Sequence, residues 1–206
     1  IAVQAEQLGT GHAVMQTADL LKDFAGTVMI ICGDTPLLDG CELKKFYVEH
    51  QASGAAATVL TAILDNPTGY GRILRDCNGH VIGIVEEKDA TMSQKNICEI
   101  NTGIYCIEAP LLFEALSGLT CDNAQGEYYL TDVLGKLNEM GKFVGGVITA
   151  DSDMIMGINS RRQLADAETI MHTRILDKLM DQGVTIMDPA STFIVGNVEI
   201  GQDSIF

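Results

Sequence analysis

The sequence is poor in aromatic and in positively charged residues. It has no tryptophan, aromatic residues make up 5% of the chain, and 13 lysines and arginines stand against 28 aspartates and glutamates, for a formal net charge of -15. This charge argues against binding to nucleic acid or to an anionic membrane, since both are themselves negatively charged. A phosphate substrate would need a cation, either a metal ion or basic residues supplied from elsewhere.

Two further absences narrow the class of protein. None of the six cysteines forms a C-x-x-C pair, which disfavours a disulfide framework or a zinc site and fits reduced, cytosolic thiols. No apolar run approaches the roughly 20 residues of a membrane span, and no signal peptide is visible. The chain lacks an initiator methionine and opens inside a motif, so we expect it to be a piece of a longer protein.

What the sequence does contain is organised around residues 28–38. The apolar run from Val28 to Cys32 predicts a strand buried on both faces, and Pro36 prevents its continuation. Asp34 is then expected at the carboxyl end of a central strand, where open α/β sheets bind ligands. The alternative is that Asp34 only caps the turn or the next helix.

The segment Gly9-Thr10-Gly11 predicts a turn that opens a helix running to about Phe24. Such a turn presents backbone N–H groups and the positive end of the helix dipole, which could hold a uracil ring or a phosphate. An ordinary loop before a helix is the alternative, and His12 is expected to be structural.

The middle of the chain predicts further strands at about 55–64, 99–107 and 143–149, and a hairpin of 72–76 with 80–86 around an Asn-Gly turn. Glu86 and Glu87 lie at the end of the hairpin and should point to opposite faces, one toward a cleft and one toward water. A solvated strand end is the alternative. Asn101, at the start of a buried strand, must be hydrogen-bonded internally or directed at a ligand.

The spacing of apolar residues along the sequence changes near Asn159. A long amphipathic helix is predicted from about Arg161 to Gln182, with Asn159 or Ser160 as its N-cap. Beyond it, apolar residues recur every six positions at Ile194, Ile200 and Phe206. Steps of this length are typical of the first coil of a parallel β-helix.

Seven motifs in this order carry a family resemblance, and they span nearly the whole chain: Q-A-E-Q-L-G-T-G-H-A, C-G-D-T-P-L, N-P-T-G-Y-G-R-I, G-I-V-E-E-K-D-A, E-I-N-T-G-I, N-A-Q-G-E-Y-Y-L-T-D and G-I-N-S-R. Together they resemble the bacterial bifunctional N-acetylglucosamine-1-phosphate uridyltransferases and glucosamine-1-phosphate acetyltransferases.

The resemblance implies an α/β fold. A Rossmann-like nucleotidyltransferase domain with a mixed sheet (1–159) would be followed by a linker helix (160–182) and the start of a left-handed parallel β-helix (183–206). It implies the Mg²⁺-dependent conversion of UTP and N-acetylglucosamine 1-phosphate to UDP-N-acetylglucosamine and pyrophosphate, a step toward peptidoglycan and lipopolysaccharide precursors. For the intact protein it implies a cytoplasmic homotrimer that also acetylates glucosamine 1-phosphate.

The resemblance also assigns site residues. Gln4, Gly9 and Thr10 match positions that hold the uracil, Asp34 and Asn159 match the two protein ligands of the catalytic Mg²⁺, and Gly71, Glu86 and Asn101 match positions that hold the sugar. Cys32 and Gly33 complete the expected substrate-binding set. Cys32 stands where some relatives carry Tyr, and Glu87 where some have His.

Two alternatives to this function and one departure from the family's pattern remain from the sequence. The family's glycine-rich loop with its basic residues would precede Gln4, so these 206 residues alone are expected to have little activity. One alternative is a different sugar-nucleotide pyrophosphorylase, making UDP-glucose or dTDP-glucose. Another is a non-catalytic module that binds sugar nucleotides or mediates assembly, which the presence of both Asp34 and Asn159 disfavours.

Overall fold

The computed structural model describes residues 1–196 and 198–206. They form two compact units, one of residues 1–32 and 39–152 and the other of residues 33–38 and 153–206. The predicted domain boundaries near 159 and 182 concern the longer protein and stay predictions. The helices and strands are α1 (Thr10–Met15), α2 (Ala18–Leu21), β1 (Thr27–Ile30), α3 (Gly40–Ser53), β2 (Ala57–Ile63), β3 (Arg72–Arg75), β4 (Val81–Val85), β5 (Glu99–Glu108), α4 (Ala109–Ser117), α5 (Asp132–Glu139), β6 (Val144–Ile148) and α6 (Arg161–Asp181).

The first unit is built on a mixed six-stranded sheet. The strand order is β4-β3-β5-β2-β6, with β1 also paired to β5. All pairings are antiparallel except that of β2 with β6. Helices α4 and α5 supply part of the core that covers the sheet, through fully buried leucines such as Leu112 and Leu134. The predicted mixed α/β sheet is thus confirmed.

Strand β5 pairs with three of the other strands, β1, β2 and β3. Strand β2 pairs along it from Glu99 to Ile107, and therefore occupies one edge. The other edge is divided, with β3 opposite Ile100 and β1 opposite residues 105–108. Gly103 lies between these two stretches with a φ of 78°, a conformation that glycine adopts without strain. The strand therefore changes neighbours at a glycine.

Two expectations for the start of the chain are wrong. Strand β1 is half-buried at all four positions instead of buried on both faces, and among the described residues it pairs only with β5. An apolar run signals burial, but it does not say which place a strand takes in the sheet. The helix expected to reach Phe24 is broken into α1 and α2, and the Thr17 hydroxyl donates to the Val14 carbonyl at 2.7 Å where α1 ends.

The second unit is built around α6. Ser160 is its N-cap, and the Ser160 side chain accepts a hydrogen bond from the Gln163 N–H. The apolar face of the helix packs Leu176 and Leu179 against Val184 and Ile186. Across the described ranges 1–196 and 198–206, no helix has both the length and the apolarity needed to cross a bilayer.

The position of β5 in the core generates a stability prediction. Ile107 is 0% exposed on β5, whereas Ile63 on the neighbouring strand β2 is 59% exposed. We expect Ile107→Ala to lower the free energy of unfolding by about 2–5 kcal/mol, because a cavity replaces buried methyl groups. Ile63→Ala, measured in the same urea titration, should change it by less than about 1 kcal/mol. Equal losses in the two variants would contradict the assigned core.

Candidate active site

Three residues predicted to hold a sugar lie together at the open end of the β3–β4 hairpin. A Cβ placed on Gly71 would lie 3.3 Å from Glu86 Oε2 and 3.5 Å from Asn101 Cβ. The same Cβ would meet the Ile84 side chain at 2.9 Å. Position 71 has no room for a side chain, so glycine is what lets the backbone pass close to Glu86 and Asn101. The polar surface that Gly71, Glu86 and Asn101 form together is called the recess below.

The orientation of the Asn101 amide follows from its neighbours. Its Oδ1 accepts hydrogen bonds from the Gly103 N–H and from the Tyr105 hydroxyl, both at 3.0 Å. The amide nitrogen is therefore the group that can donate to a ligand. Glu86 contributes an acceptor beside it. An adjacent donor and acceptor suit a sugar hydroxyl, which both donates and accepts.

Glu86 is a partly buried acid, and among the described residues no lysine, arginine or histidine forms an ion pair with it. The Thr131 hydroxyl donates to its Oε1 at 3.0 Å. Burial raises the pKa of Glu86 above its usual value, and the nearby carboxylates of Asp132 and Asp89 add to the increase. The carboxylate is therefore a desolvated acceptor that a ligand hydroxyl could satisfy.

The predicted uracil residues also meet, but differently from the expectation. The Gln4 side-chain amide donates to the Gly9 carbonyl at 3.1 Å, and a φ of 108° at Gly9 demands glycine. The Gly11 N–H, expected to be available to a ligand, donates instead to the Tyr128 carbonyl at 2.8 Å. The turn is therefore pinned by the segment that contains Tyr128, and only part of its backbone is available for binding.

Residues 128–131 contact both the turn at Gly9 to Gly11 and the side chain of Glu86. Their backbone holds the glycine turn, since the Leu130 N–H donates to the Thr10 hydroxyl at 3.1 Å, while the Thr131 side chain holds Glu86. Sequence reasoning did not identify Thr131 or Tyr105 as candidate site residues. Their motifs, Y-Y-L-T-D and E-I-N-T-G-I, were the available signal.

Cys32 and Gly33 stand at the junction of the two units along the chain. The Cys32 thiol approaches the Gly103 carbonyl at 3.6 Å, and a Cβ on Gly103 would lie only 2.7 Å from Cys32 Sγ. The thiol thus packs against the glycine at which β5 changes neighbours. Gly33 lies in a turn, and apart from its chain neighbours no other described residue has a heavy atom within 4 Å of where its Cβ would be.

Asp34 and Asn159 both belong to the second unit. The Asp34 carbonyl accepts a hydrogen bond from the Ile158 N–H at 2.9 Å. A Cβ on Gly157 would lie 3.6 Å from Asp34 Oδ2 and 3.8 Å from Asn159 Nδ2. The two side-chain ends are therefore less than twice 3.8 Å apart, and the missing side chain of Gly157 leaves room between them.

This pair fits a magnesium ion in its chemistry. Asp34 supplies a carboxylate oxygen and Asn159, after rotation of its amide, a carbonyl oxygen, and Mg²⁺ uses few protein ligands of this type. Because Ser160 serves as the N-cap of α6, Asn159 is not required for that task. Within residues 1–196 and 198–206, no group of three or more His, Cys, Asp and Glu side chains could hold a metal.

One family profile and several curated relatives match this chain in sequence. The profile of the nucleotidyl transferase family matches residues 1–154. Curated relatives named "Bifunctional protein GlmU" are similar over almost the whole chain. The protein of Syntrophotalea carbinolica is 55% identical over 99% of this chain and 44% of its own length, and that of Pelotomaculum thermopropionicum is 52% identical over 100% of this chain and 45% of its own length.

A third relative of the same name, from Heliobacterium modesticaldum, is 52% identical over 99% of this chain and 44% of its own length. The chain therefore spans less than half the length of the curated relatives it matches. The family match covers three quarters of these 206 residues, including every candidate site residue except Asn159. The chain belongs to the nucleotidyl transferase family.

Proposed function

We propose that this chain carries the uridyltransferase part of a larger enzyme, which makes UDP-N-acetylglucosamine and pyrophosphate from UTP and N-acetylglucosamine 1-phosphate. The observation that carries the proposal is the recess formed by Gly71, Glu86 and Asn101. The seven motifs, and relatives whose name states that they are bifunctional, support it. A phosphate oxygen of the sugar phosphate attacks the α-phosphorus of UTP, and pyrophosphate leaves.

In this proposal the residues position the substrates and perform no covalent step, as is usual in phosphoryl transfer. Glu86 and the Asn101 amide orient the sugar, and the turn at Gly9 and Thr10, with Gln4, holds the uracil. Asp34 and Asn159 would hold Mg²⁺, which neutralises phosphate charge when bound. This ion would meet the need for a cation in a chain whose formal net charge is -15.

The acetyltransferase activity, the homotrimer and the cytoplasmic location are proposals for the longer protein. The β-helix proposal has support in the last residues, where Thr185 and Ile205 form a parallel bridge. The Thr185 N–H donates to the Ser204 carbonyl at 2.8 Å, and the Phe206 N–H donates to the Thr185 carbonyl at 2.9 Å. Parallel pairing between successive turns of the chain is what a β-helix coil requires.

Pyrophosphate release tests the function directly. The low activity expected of these 206 residues alone stays a prediction, so turnover is measured on the complete gene product. We expect release with UTP and N-acetylglucosamine 1-phosphate that exceeds release with UTP or dTTP and glucose 1-phosphate. A preference for glucose 1-phosphate would favour another sugar-nucleotide pyrophosphorylase. Binding of UDP-N-acetylglucosamine without turnover would favour a non-catalytic module.

Neighbouring residues at the start of α6 give a matched test of the metal pair. We expect Asn159→Ala to raise the Mg²⁺ concentration for half-maximal activity about tenfold or more, because it removes a ligand oxygen. Ser160→Ala should lower the free energy of unfolding by about 1 kcal/mol, because it removes the N-cap, and should leave the Mg²⁺ dependence unchanged. The metal assignment would fail if Asn159→Ala changed stability but not Mg²⁺ dependence.

Glu86 is expected to lower the stability of the fold at pH 8 and to strengthen binding of the sugar phosphate. Its folded-state pKa is raised, chiefly by burial, so its contribution to stability is complete below the ordinary glutamate pKa and is lost as the pH rises through the folded-state pKa. Glu86→Gln should therefore raise Tm at pH 8, with a gain that shrinks toward acidic pH. It should also raise the KM for the sugar phosphate about tenfold, since it removes a charged acceptor.

Glu87 serves as a control, because its pKa is shifted in the opposite direction to that of Glu86. A hydrogen bond from Arg72 holds the pKa of Glu87 below its usual value. This contribution is present above the ordinary pKa and is lost as the pH falls through the folded-state pKa. Glu87→Gln should accordingly lower Tm at pH 8, where Glu86→Gln raises it. Thermal unfolding of both variants at several pH values measures the difference, and a shift of the same sign in both would count against these environments.

A further inference from the structure

Arg72 is a buried cation at the start of β3. It is 1% exposed. Its Nη2 donates to Glu87 Oε2 at 2.6 Å, and its Nη1 donates to the Tyr70 carbonyl. Its Nε is buried and has no hydrogen-bond partner in the part of the chain that the structure describes. The Glu87 side chain is 26% exposed, so only the guanidinium of this pair is buried. A buried guanidinium with an unmet donor is a poor means of stabilising a sheet, because its desolvation offsets the attraction between the charges.

What the pair does hold is the backbone of the loop of residues 66–71. Glu87 Oε2 also accepts a hydrogen bond from the Gly69 N–H at 3.3 Å. The pair therefore holds two backbone groups of the loop, the Gly69 N–H and the Tyr70 carbonyl. Lys95 approaches the second carboxylate oxygen of Glu87 at 3.7 Å, which leaves the guanidinium and the loop as the principal partners of Oε2.

The peptide unit held in this way continues directly into the recess. The Tyr70 carbonyl belongs to the same peptide plane as the N–H of Gly71, and the Gly71 carbonyl accepts a hydrogen bond from the Asn101 N–H at 2.8 Å. The loop is thus fixed from both sides at Gly71, the residue that it contributes to the recess. Glu87 is also the chain neighbour of Glu86, so fixing one limits the orientation of the other.

We propose that Arg72 and Glu87 are positioning residues that hold the Gly69–Gly71 segment against Glu86 and Asn101 and so set the affinity for the sugar phosphate. This inference rests on the proposed function of the recess. Neither residue is assigned a contact with substrate. Their effect is transmitted through the backbone at Tyr70 and Gly71, where small displacements change the fit of the bound sugar.

The same sheet contains a matched control pair. Arg75, at the other end of β3, donates to Glu99 at 2.8 Å through Nε and at 2.6 Å through Nη2. The Glu99 side chain is 15% exposed, compared with 26% for Glu87. Glu99 also accepts a hydrogen bond from the Thr61 hydroxyl. The Arg75–Glu99 pair therefore connects strands β3 and β5 and does not contact the loop of residues 66–71. Glu99→Gln therefore removes a similar ionic partner without releasing the recess.

The experiment compares Glu87→Gln and Arg72→Lys with Glu99→Gln in the complete gene product. We expect Glu87→Gln to raise the KM for N-acetylglucosamine 1-phosphate about three- to tenfold while kcat and the KM for UTP stay within about twofold. Glu99→Gln should lower Tm and leave both KM values within about twofold. Arg72→Lys keeps the charge but loses the two-pronged geometry, so it should resemble Glu87→Gln.

Amide hydrogen exchange of residues 66–71, measured on the same proteins, makes the test independent of turnover. Faster exchange in Glu87→Gln than in Glu99→Gln is expected whether or not the substrates are correctly assigned. Unchanged exchange overturns the positioning role. Faster exchange with equal changes in both KM values, or with none, overturns the link to the sugar. Absence of pyrophosphate release from the unsubstituted protein counts against the proposed function alone.

Discussion

The candidate site depends on the way in which one long strand is shared. Strand β5 has β2 along one edge, and β3 and β1 in succession along the other. Between them, at Gly103, the strand takes a positive φ that a side chain would disfavour. Asn101 lies before this point and Tyr105 after it, and the tyrosine hydroxyl fixes the asparagine amide at 3.0 Å. The interruption of regular pairing thus creates an oriented donor.

The recess around Glu86 and the pair of Asp34 and Asn159 suit ligands of different charge. In the recess of the first unit, burial and the carboxylates of Asp132 and Asp89 disfavour the charged form of Glu86 and raise its pKa, so the recess suits neutral hydroxyl groups better than phosphate. The second unit supplies Asp34 and Asn159, which suit a divalent cation and through it a phosphate. A strongly acidic chain thus offers separate groups for neutral hydroxyls and for a divalent cation.

The sequence was informative where a motif states its own chemistry. The order of motifs predicted the family and the mixed sheet. It also singled out Gly71, Glu86 and Asn101, which lie close together in the structure, while their role in binding a sugar stays a prediction. It misjudged β1 and α1, because apolar runs and glycine turns indicate local preference and not the neighbours that tertiary structure provides. The Arg72–Glu87 pair was out of reach, since it depends on the register that places Arg72 opposite Val85.

That pair is also the best illustration of why a buried charge is retained here. The loop of residues 66–71 contains a proline and two glycines, and glycine loses more conformational entropy on ordering than any other residue. Few of its own side chains can hold such a loop, so its backbone must be held by others. A guanidinium can donate to a carbonyl and a carboxylate at once, and the carboxylate can accept from a further N–H. Arg72 and Glu87 together order a flexible segment that a hydrophobic pair of equal volume would leave unbound.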